Sequence, residues 1–374
     1  MEAYPRGGEG PRVTDGSAAD PGGGSAPRTP VRTLFLGSGR FAQPILGRLA
    51  GHPSIDLVGV VTAPPRPVGR RQVETATPID TQARELGLTV LTPSRLRSHA
   101  AMASVLALAP DLVVLADYGQ IVPGELLDRR YGALNLHPSL LPRHRGAAPI
   151  PAAILAGDRE TGVTLMQMDA GLDTGPIVAS ERAILSGDET APALEARLAI
   201  AAAGILARSL DPWLAGELET TPQPDDGASM TRPLRRADGR LDPRLPAVEL
   251  ERQVRAYLPW PGSFAETDGD RLVVLAARVA DSDPDDDPGR FVPDLAGLAL
   301  ATGHGRLVLD DVQPAGGQPM TGEEFLRGRP RILGRLVRVP PEHGLPPVSV
   351  PVGRNGRGTP AVVPAPGGLP PNRA

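Results

Sequence analysis

A continuous apolar run at residues 111–116 (Asp-Leu-Val-Val-Leu-Ala) constrains the fold of this chain more than any other feature. The run is too short for an independent helix, and an uninterrupted apolar strand is typical of a parallel sheet covered by helices on both faces. Other predicted elements alternate along the first half: strands at 32–37, 55–62, 89–91 and 133–137, and helices at 41–49 and 78–88. This alternation predicts right-handed βαβ crossovers and a Rossmann-like, mostly parallel α/β sheet.

The second half of the chain has a different pattern. A stretch rich in Ala and Leu predicts one long helix at 190–218. After a helical segment at 248–257, short β-type runs are separated by Gly, Pro and Asp; they lie at 272–275, 298–302 and 306–312. This spacing predicts a small β-barrel. The acidic run 281–287 predicts a solvated loop.

The length of 374 residues favours two folded domains, because single cores stop growing at roughly 250 to 300 residues. We expect an α/β domain at 31–218, a linker at 219–237 and the β domain at 238–338. The remaining segments, 1–30 and 339–374, are rich in Gly and Pro and show no period. They offer too little apolar surface to offset the entropy of ordering, so we expect two disordered tails.

Composition narrows the functional classes. The chain has no cysteine, which excludes a thiol nucleophile, and all 39 basic residues are arginine, which excludes a Schiff-base lysine. A net charge of −4 argues against coating nucleic acid through bulk charge. We find no basic segment leading into an apolar core near the start and no apolar run long enough to cross a bilayer. We therefore expect a cytoplasmic protein without a membrane partner, acting as a monomer.

The segment 37–42 (GSGRFA) fits a dinucleotide-binding fingerprint between a strand and a helix. A nicotinamide-dependent oxidoreductase is therefore one candidate. The fingerprint expects an acidic residue after the second strand to hold a ribose, and this chain has Val-Thr-Ala-Pro at 61–64. Arg66 offers an alternative contact to a 2′-phosphate, so the pattern weakens this candidate without removing it.

Two polar side chains lie at the carboxyl end of the predicted strand 133–137, and a carboxylate follows further along the chain. Asn135 and His137 are two positions apart, so their side chains leave the same face, and Pro138 ends the ladder at the edge where α/β sheets bind ligands. Asp173 lies between Gly171 and Gly175, whose lack of a side chain permits a close approach to a ligand. An amide, an imidazole and a carboxylate can stabilise a developing oxyanion and move a proton from an attacking amine.

Two other interpretations of these residues remain open at this point. Asn135 and His137 can be a hydrogen-bonded core pair, and Asp173 can serve only a turn. A metal site is a further alternative, although its candidate ligands match no tight spacing pattern; they are His137, His144, Asp169 and Asp173. We expect no metal.

The surrounding motifs extend far beyond these three residues. In the first half they are RPVGR at 66–70, YGQI at 118–121, NLHPSLLPRHRGAAPI at 135–150, GD at 157–158, ETGVT at 160–164, MQMD at 166–169 and GLDTG at 171–175. In the second half they are DG at 238–239, PWPG at 259–262, TGHG at 302–305, QPAG at 313–316 and FLRG at 325–328. Across residues 32–336 the chain resembles methionyl-tRNA formyltransferases, within the class that transfers formyl from 10-formyltetrahydrofolate to an amine.

The resemblance implies a role for each candidate residue. Asn135 and His137 would hydrogen-bond the formyl oxygen as it becomes an oxyanion, and Asp173 would hold His137 and relay the proton lost by the amine, through water. The folate would lie against a loop and a neighbouring segment, namely Ser139, Leu140, Leu141 and Pro142 together with Gln120 and Ile121. The reaction needs no covalent enzyme intermediate.

The resemblance also implies a tRNA partner. In similar proteins a loop after the second strand contacts the acceptor end, and here three arginines stand in that loop: Arg66, Arg70 and Arg71. Arginine makes forked contacts to phosphate. The second domain resembles the OB-like barrel of these proteins. Four further arginines precede it and can add a non-specific surface; they are Arg232, Arg235, Arg236 and Arg240.

The chain departs from the usual pattern of the resembled proteins in three segments. Arg40 stands in a Ser-Gly-Arg segment where Thr-Pro-Asp is usual, Asp117 replaces an Ala before the YGQI motif, and His144 replaces an aromatic residue. These changes bear on substrate affinity and rate rather than on the reaction type, because Asn135 and Asp173 are retained.

The resemblance leaves two alternatives beside the oxidoreductase. One is a formyltransferase acting on another amine, such as a sugar nucleotide, since the Asn-x-His and Asp group is shared across the class. The segment 146–150 and the second domain favour the tRNA substrate over this one. The other is a folate-binding or RNA-binding module without activity.

Overall fold

The computed structural model describes residues 29–68, 72–295, 297–340 and 350–351. The strands of the first domain are β1 (Val31–Gly37), β2 (Ile55–Val61), β3 (Arg66–Val68), β4 (Val73–Thr75), β5 (Val90–Leu91), β6 (Leu112–Ala116), β7 (Ala133–His137), β8 (Arg145–Gly146), β9 (Glu160–Gln167) and β10 (Ile177–Ile184). Its helices are α1 (Ala42–Ala50), α2 (Pro78–Glu85), α3 (His99–Ala107), α4 (Gly124–Leu127), α5 (Pro149–Ala156) and α6 (Ala191–Ala215).

Seven of these strands form one sheet in the order β10-β9-β7-β6-β1-β2-β5. The five strands from β5 to β7 are parallel, whereas β9 runs antiparallel to β7 and β10 antiparallel to β9. Every residue of β6 is buried, as expected for a strand with helices on both faces. The predicted mostly parallel α/β sheet is therefore confirmed.

Helix α6 corrects one expectation from the sequence. It has 25 residues and contains an 18-residue stretch with a mean hydropathy of 1.3, so it is long and apolar enough to cross a membrane by length and composition alone. The statement that no apolar run reaches that length is therefore wrong. The apolar side chains of this helix pack into the core of the first domain, among them Leu194, Leu198 and Leu206. A core helix of this kind meets the same criteria.

The second part of the chain forms an antiparallel β domain. After a linker strand β11 (Ser229–Thr231), its elements are α7 (Ala247–Ala256), β12 (Ser263–Glu266), β13 (Arg271–Ala280), β14 (Phe291–Asp294), β15 (Gly297–Ala301), β16 (Arg306–Pro314), β17 (Met320–Thr321) and α8 (Gly322–Gly328). The main sheet has the order β12-β13-β16-β15-β14, with β17 added to β16. Two register shifts around Ala276 interrupt the β13–β16 ladder. The fold class of the second domain is confirmed, as a partly open sheet around its own apolar core.

The acidic loop at 281–287 is not wholly solvated. Arg306 donates from Nε and Nη2 to the two carboxylate oxygens of Asp286, at 2.6 Å each, and the side chain of Asp286 is only 9% exposed. This fork joins the loop to the first residue of β16, so one member of the acidic run has a structural role.

A small third sheet joins the linker to the first domain. Strand β11 pairs in parallel with β8 and antiparallel with β18 (Val350–Pro351). Residues 350–351 lie in the segment expected to be a disordered tail, but in the structure they form strand β18. Because β18 is at the edge of the sheet, it can contain Pro351. Apart from residues 29–30, 339–340 and β18, the two predicted tails lie outside the described residues.

Candidate active site

Asn135 and His137 lie at the carboxyl end of β7, in the middle of the sheet. Leu115 of β6 pairs with Asn135 on one side, and Thr164 of β9 pairs with His137 on the other. Alternate residues of a strand share a face, so both polar side chains leave the sheet together. They are 5% and 4% exposed, respectively. Such burial requires polar partners, which the structure supplies.

Asp173 reaches this strand end from the turn between β9 and β10. Its φ is +52°, in the left-handed region that Asp tolerates better than most residues. A side chain at Gly171 would lie 2.0 Å from Oγ1 of Thr174, so the turn is closed too tightly for any other residue. Asp169 holds the turn by accepting hydrogen bonds from Thr174 Oγ1 at 2.8 and 2.9 Å.

The carboxylate of Asp173 brings the predicted residues together. Asn135 Nδ2 donates to Oδ1 at 3.3 Å, and the backbone N–H of Gly146 donates to Oδ2 at 2.7 Å. His137 Nδ1 lies 3.7 Å from Oδ2. That distance is too long for a hydrogen bond but short enough for an ion pair. Both oxygens of the carboxylate are therefore committed to the site, and the three side chains converge as the spacing predicts.

The ring of His137 is held between two acceptors. Its Nε2 lies 2.9 Å from the backbone carbonyl oxygen of His144. A carbonyl only accepts, so Nε2 carries a proton in this contact. Nδ1 faces the carboxylate of Asp173, so a hydrogen on this nitrogen also points towards an acceptor. An Nδ1–H group in this position is available to an oxygen atom of a substrate.

The loop 139–142 is fixed by Thr164, a buried residue of β9. Its hydroxyl donates to the carbonyl of Ser139 at 2.7 Å and accepts from the N–H of Leu141 at 3.1 Å. Leu140 packs so closely on β9 that a side chain at Gly162 would lie 2.6 Å from it. The carbonyl of Pro142 accepts from Ser229 N at 3.2 Å. The loop is thus rigid, and several of its backbone groups are already hydrogen-bonded within the protein.

Gln120 and Ile121 lie in the segment that follows β6. The amide of Gln120 accepts from Leu96 N at 2.7 Å and donates to the carbonyl of Pro93 at 3.0 Å. Its side chain therefore anchors a neighbouring loop. Ile121 is 68% exposed and presents an apolar side chain to solvent. Near them, the hydroxyl of Tyr118 is buried without a hydrogen-bond partner among the described residues, and desolvation raises the pKa of Tyr118 to about 12.

Of the three arginines predicted to contact tRNA, the structure describes one. Arg66 is exposed in β3, which pairs with β4 in a two-stranded hairpin. Arg70 and Arg71 lie outside the described residues.

Sequence reasoning missed one residue that shapes the site. Gln223, in the predicted linker, donates from Nε2 to the carbonyls of Asp173 and Gly175, at 2.8 Å each. Its Oε1 accepts from Arg145 at 3.0 and 2.7 Å. Gln223 therefore links β8 to the turn that contains Asp173. No sequence pattern indicates this contact, because a single Gln between prolines carries no periodic signal.

The glycine segment that suggested dinucleotide binding is occupied by the protein itself. Glu195 accepts from Phe41 N at 3.0 Å, and the carboxylate of Asp117 accepts from the backbone of Gly39. Solvent reaches Asp117, yet protein surrounds it closely, and this desolvation raises its pKa. Desolvation and the charge of Asp117 also raise the pKa of Glu195. A pyrophosphate would have to replace two carboxylates at the N-terminus of α1, which argues against nicotinamide binding there.

The arginines before the β domain are partly neutralised. Arg232 donates to both oxygens of Asp238, at 2.8 and 2.7 Å, and Arg240 lies 2.6 Å from Glu266. Among the residues that the structure describes, no group of three His, Asp or Glu side chains could hold a metal ion.

Comparison with known proteins covers both domains. Residues 31–210 match the family described as Formyl transferase, and residues 233–330 match the family described as Formyl transferase, C-terminal domain. The methionyl-tRNA formyltransferase of Roseiflexus sp. (strain RS-1) is 44% identical over 301 residues, which are 80% of this chain and 93% of that protein. That of Paramagnetospirillum magneticum is 45% identical over 302 residues, 80% of this chain and 97% of the relative.

Solved structures share the fold at much lower identity. An N-formyltransferase from Helicobacter canadensis, in complex with folinic acid and dTDP-3-aminofucose, has a TM-score of 0.55 and 16% identity, covering 78% of this chain and 100% of that one. HypX from Aquifex aeolicus, in complex with tetrahydrofolic acid, has a TM-score of 0.52 and 17% identity, covering 79% of this chain and 46% of that one.

Proposed function

The chain belongs to the methionyl-tRNA formyltransferase family and is a formyl-transferring enzyme, and we propose that 10-formyltetrahydrofolate is its donor and the α-amino group of methionyl initiator tRNA its acceptor. The observation that carries the proposal is the convergence of Asn135, His137 and Asp173 at the carboxyl end of β7. A carboxylate, an amide and an imidazole suffice for this transfer.

Asn135 and His137 stabilise the charge that develops on the formyl oxygen. Nδ2 of Asn135 has two protons, and only one of them is given to Asp173. The second proton and the Nδ1–H of His137 are the donors for the oxyanion, in a site where preorganised donors have their largest effect. The amine forms a bond to the formyl carbon, and the bond from that carbon to N10 of the folate then breaks.

Asp173 takes part in the proton transfer. The amine loses a proton as the new bond forms, and N10 gains one as it leaves. Asp173 relays this proton through water, because its two oxygens already bridge Asn135, Gly146 and His137. The ester of an aminoacyl-tRNA lowers the pKa of the α-amino group, so the amine is partly neutral near pH 7 and needs no strong base.

Two features of the chain support a folate donor. The loop 139–142 is held rigid by Thr164 and offers a fixed surface beside His137. In the segment 118–121, Ile121 offers an exposed apolar contact. The buried hydroxyl of Tyr118 has no hydrogen-bond partner among the described residues, and a polar ligand would supply one. The complexes of related structures with folinic acid and tetrahydrofolic acid agree with a donor of this class.

Identity along the chain favours tRNA over an amino sugar as acceptor. The relatives named for methionyl-tRNA match at 44% and 45% identity across both domains, whereas the N-formyltransferase from Helicobacter canadensis, in complex with dTDP-3-aminofucose, matches at 16%. Arg66, Arg70 and Arg71 are the proposed contacts to tRNA phosphates. We also propose a monomer, because the catalytic, folate-binding and tRNA-binding residues named above all come from one chain. A tRNA acceptor further implies an enzyme of the cytoplasm.

The test is a transfer assay with purified protein and 10-formyltetrahydrofolate. The acceptors are methionyl initiator tRNA, methionyl elongator tRNA and a set of nucleotide-linked amino sugars. We expect formyl transfer to the initiator species, with the others slower. Transfer to an amino sugar and not to tRNA would replace the proposed acceptor. Binding of both ligands without any transfer would identify a binding module.

A further inference from the structure

A second pair of histidine and carboxylate lies next to the proposed catalytic residues. Nε2 of His144 is 2.7 Å from Oδ2 of Asp158, and the two side chains are 3% and 9% exposed. The proposed formyl transfer uses neither residue. A buried hydrogen bond between an imidazole and a carboxylate therefore lies next to the site and has no role in the proposed reaction.

The pair is connected to His137 through a single peptide group. The carbonyl of His144 is the acceptor for Nε2 of His137 at 2.9 Å. Two residues further on, the N–H of Gly146 donates to Asp173. The segment 144–146 thus contacts both members of the His137–Asp173 ion pair with backbone atoms, and any shift of this segment displaces both.

The backbone at His144 needs support to keep this position. Its φ is +56°, a left-handed conformation that a side chain normally disfavours. Ser229 Oγ accepts from the N–H of His144 at 2.9 Å, which fixes one end of the residue. Asp158 fixes the other end through the ring. Asp158 itself follows α5, and its N–H donates to the carbonyl of Ala153 at 3.1 Å.

We propose that the Asp158–His144 pair is a positioning device for His137. By holding the strained peptide of residue 144, it directs the carbonyl at Nε2 of His137 and keeps the proton on that nitrogen. Nδ1 of His137 then faces Asp173 and the substrate. Partners that orient metal-bound histidines typically change activity by about 10- to 100-fold, and we expect an effect of this size for His137. The inference rests on the proposed function of His137.

The chain offers a matched control for this proposal. Arg143 also binds Asp158, through Nη2 and Oδ1 at 2.5 Å, but its side chain is 51% exposed. No contact joins the Arg143 side chain to His137 among the described residues. Arg143→Gln removes one partner of the carboxylate and leaves the His144 contact, so it separates positioning from general support of the loop.

The experiment compares four variants by steady-state formyl transfer. His144→Phe keeps an aromatic ring without a donor, and we expect kcat to fall about 10- to 100-fold with KM for both substrates within about 2-fold. His144→Gln keeps an N–H that reaches Asp158 and should restore kcat to within about 5-fold of wild type. Asp158→Ala, which removes the acceptor of the His144 ring, should resemble His144→Phe, and Arg143→Gln should match wild type.

A second readout does not depend on activity. The 15N shifts of the His137 ring report which nitrogens carry protons. We expect protons on both Nδ1 and Nε2 in wild type, and a partial loss of the Nε2 proton in His144→Phe. Wild-type kcat in folded His144→Phe or Asp158→Ala would overturn the proposal. So would an equal loss in Arg143→Gln, or unchanged ring shifts in both His144→Phe and Asp158→Ala. An inactive wild type would instead refute the proposed function, and the ring shifts would still test the positioning.

Discussion

Replacing Asp173 with Asn removes the charge at the centre of the site while keeping the side chain's size. Asn also tolerates the left-handed φ of +52°, so the turn should keep its path. The carboxylate now accepts from Asn135 and Gly146, and its side chain is only 12% exposed. An amide has one oxygen and one NH2 group, so it can accept from one of these donors and must oppose the other.

The cost follows from these contacts. Loss of one hydrogen bond to a charged acceptor costs about 1.5 to 3 kcal/mol. Loss of a positioned proton acceptor lowers rates by about 10²- to 10⁴-fold, equivalent to about 2.7 to 5.4 kcal/mol in the activation free energy. We therefore expect Asp173→Asn to lose at least about 10²-fold in the single-turnover rate of formyl transfer. Asp173→Ala should be equally slow and less stable, because Ala disfavours left-handed backbone by about 1 to 2 kcal/mol.

The assay is rapid-quench formyl transfer with saturating donor, accompanied by urea unfolding of each variant. Asp169→Asn is the matched control, because Asp169 lies in the same turn and contacts only Thr174 and Gly171 among the described residues. It should stay within about 3-fold of the wild-type rate, well below the effect of a catalytic group. A folded Asp173→Asn protein that retains half of the wild-type rate would refute the role of the carboxylate.

Two further predictions concern stability. A side chain at Gly39 would lie 1.7 Å from Oδ2 of Asp117; Gly39→Ala should therefore destabilise the first domain by about 1 to 3 kcal/mol, and adding Asp117→Ala should recover most of this in urea unfolding. The hydrogen bonds from Arg306 hold the pKa of Asp286 in the folded protein below its ordinary 3.8. The ionised carboxylate therefore stabilises the fold fully above pH 3.8, and this stabilisation is lost as the pH falls through the pKa of Asp286 in the folded protein. Asp286→Asn should cost about 1.5 to 3 kcal/mol at pH 7, and a difference that stayed constant below pH 3.8 would contradict this.

The central strands of the first domain could be predicted because their sequence pattern is simple. A strand buried on both faces, such as β6, reads as an uninterrupted apolar run. The same logic located β7 and its polar ends. In contrast, no helix or strand is predicted at residues 149–184, where the structure has α5, β9 and β10. Helix α5 begins with prolines, and β9 contains Gly162, where a side chain would lie 2.1 Å from the carbonyl of Glu181. In a sequence, Pro and Gly indicate the end of a helix or strand, and only the structure shows that Gly162 is required by the close contact with β10.

The candidate site was predictable only in part for a related reason. Strand periodicity places Asn135 and His137 on one face, and glycines mark the turn around Asp173. The contacts that hold these groups come from backbone atoms, such as the carbonyl of His144, and from Gln223 far along the chain. A backbone acceptor has no sequence signal, and a contact across distant segments has no period. The structure was needed to find them.

The most direct test of the account measures the single-turnover rate of formyl transfer from 10-formyltetrahydrofolate to methionyl initiator tRNA for wild type and Asn135→Ala. Asn135 donates to Asp173 and has a second proton for the formyl oxygen. Loss of one oxyanion donor typically costs about 10²- to 10³-fold, and we predict a decrease in this range in a protein that unfolds near the wild-type urea midpoint. A folded Asn135→Ala enzyme that transfers formyl at the wild-type rate would contradict the account.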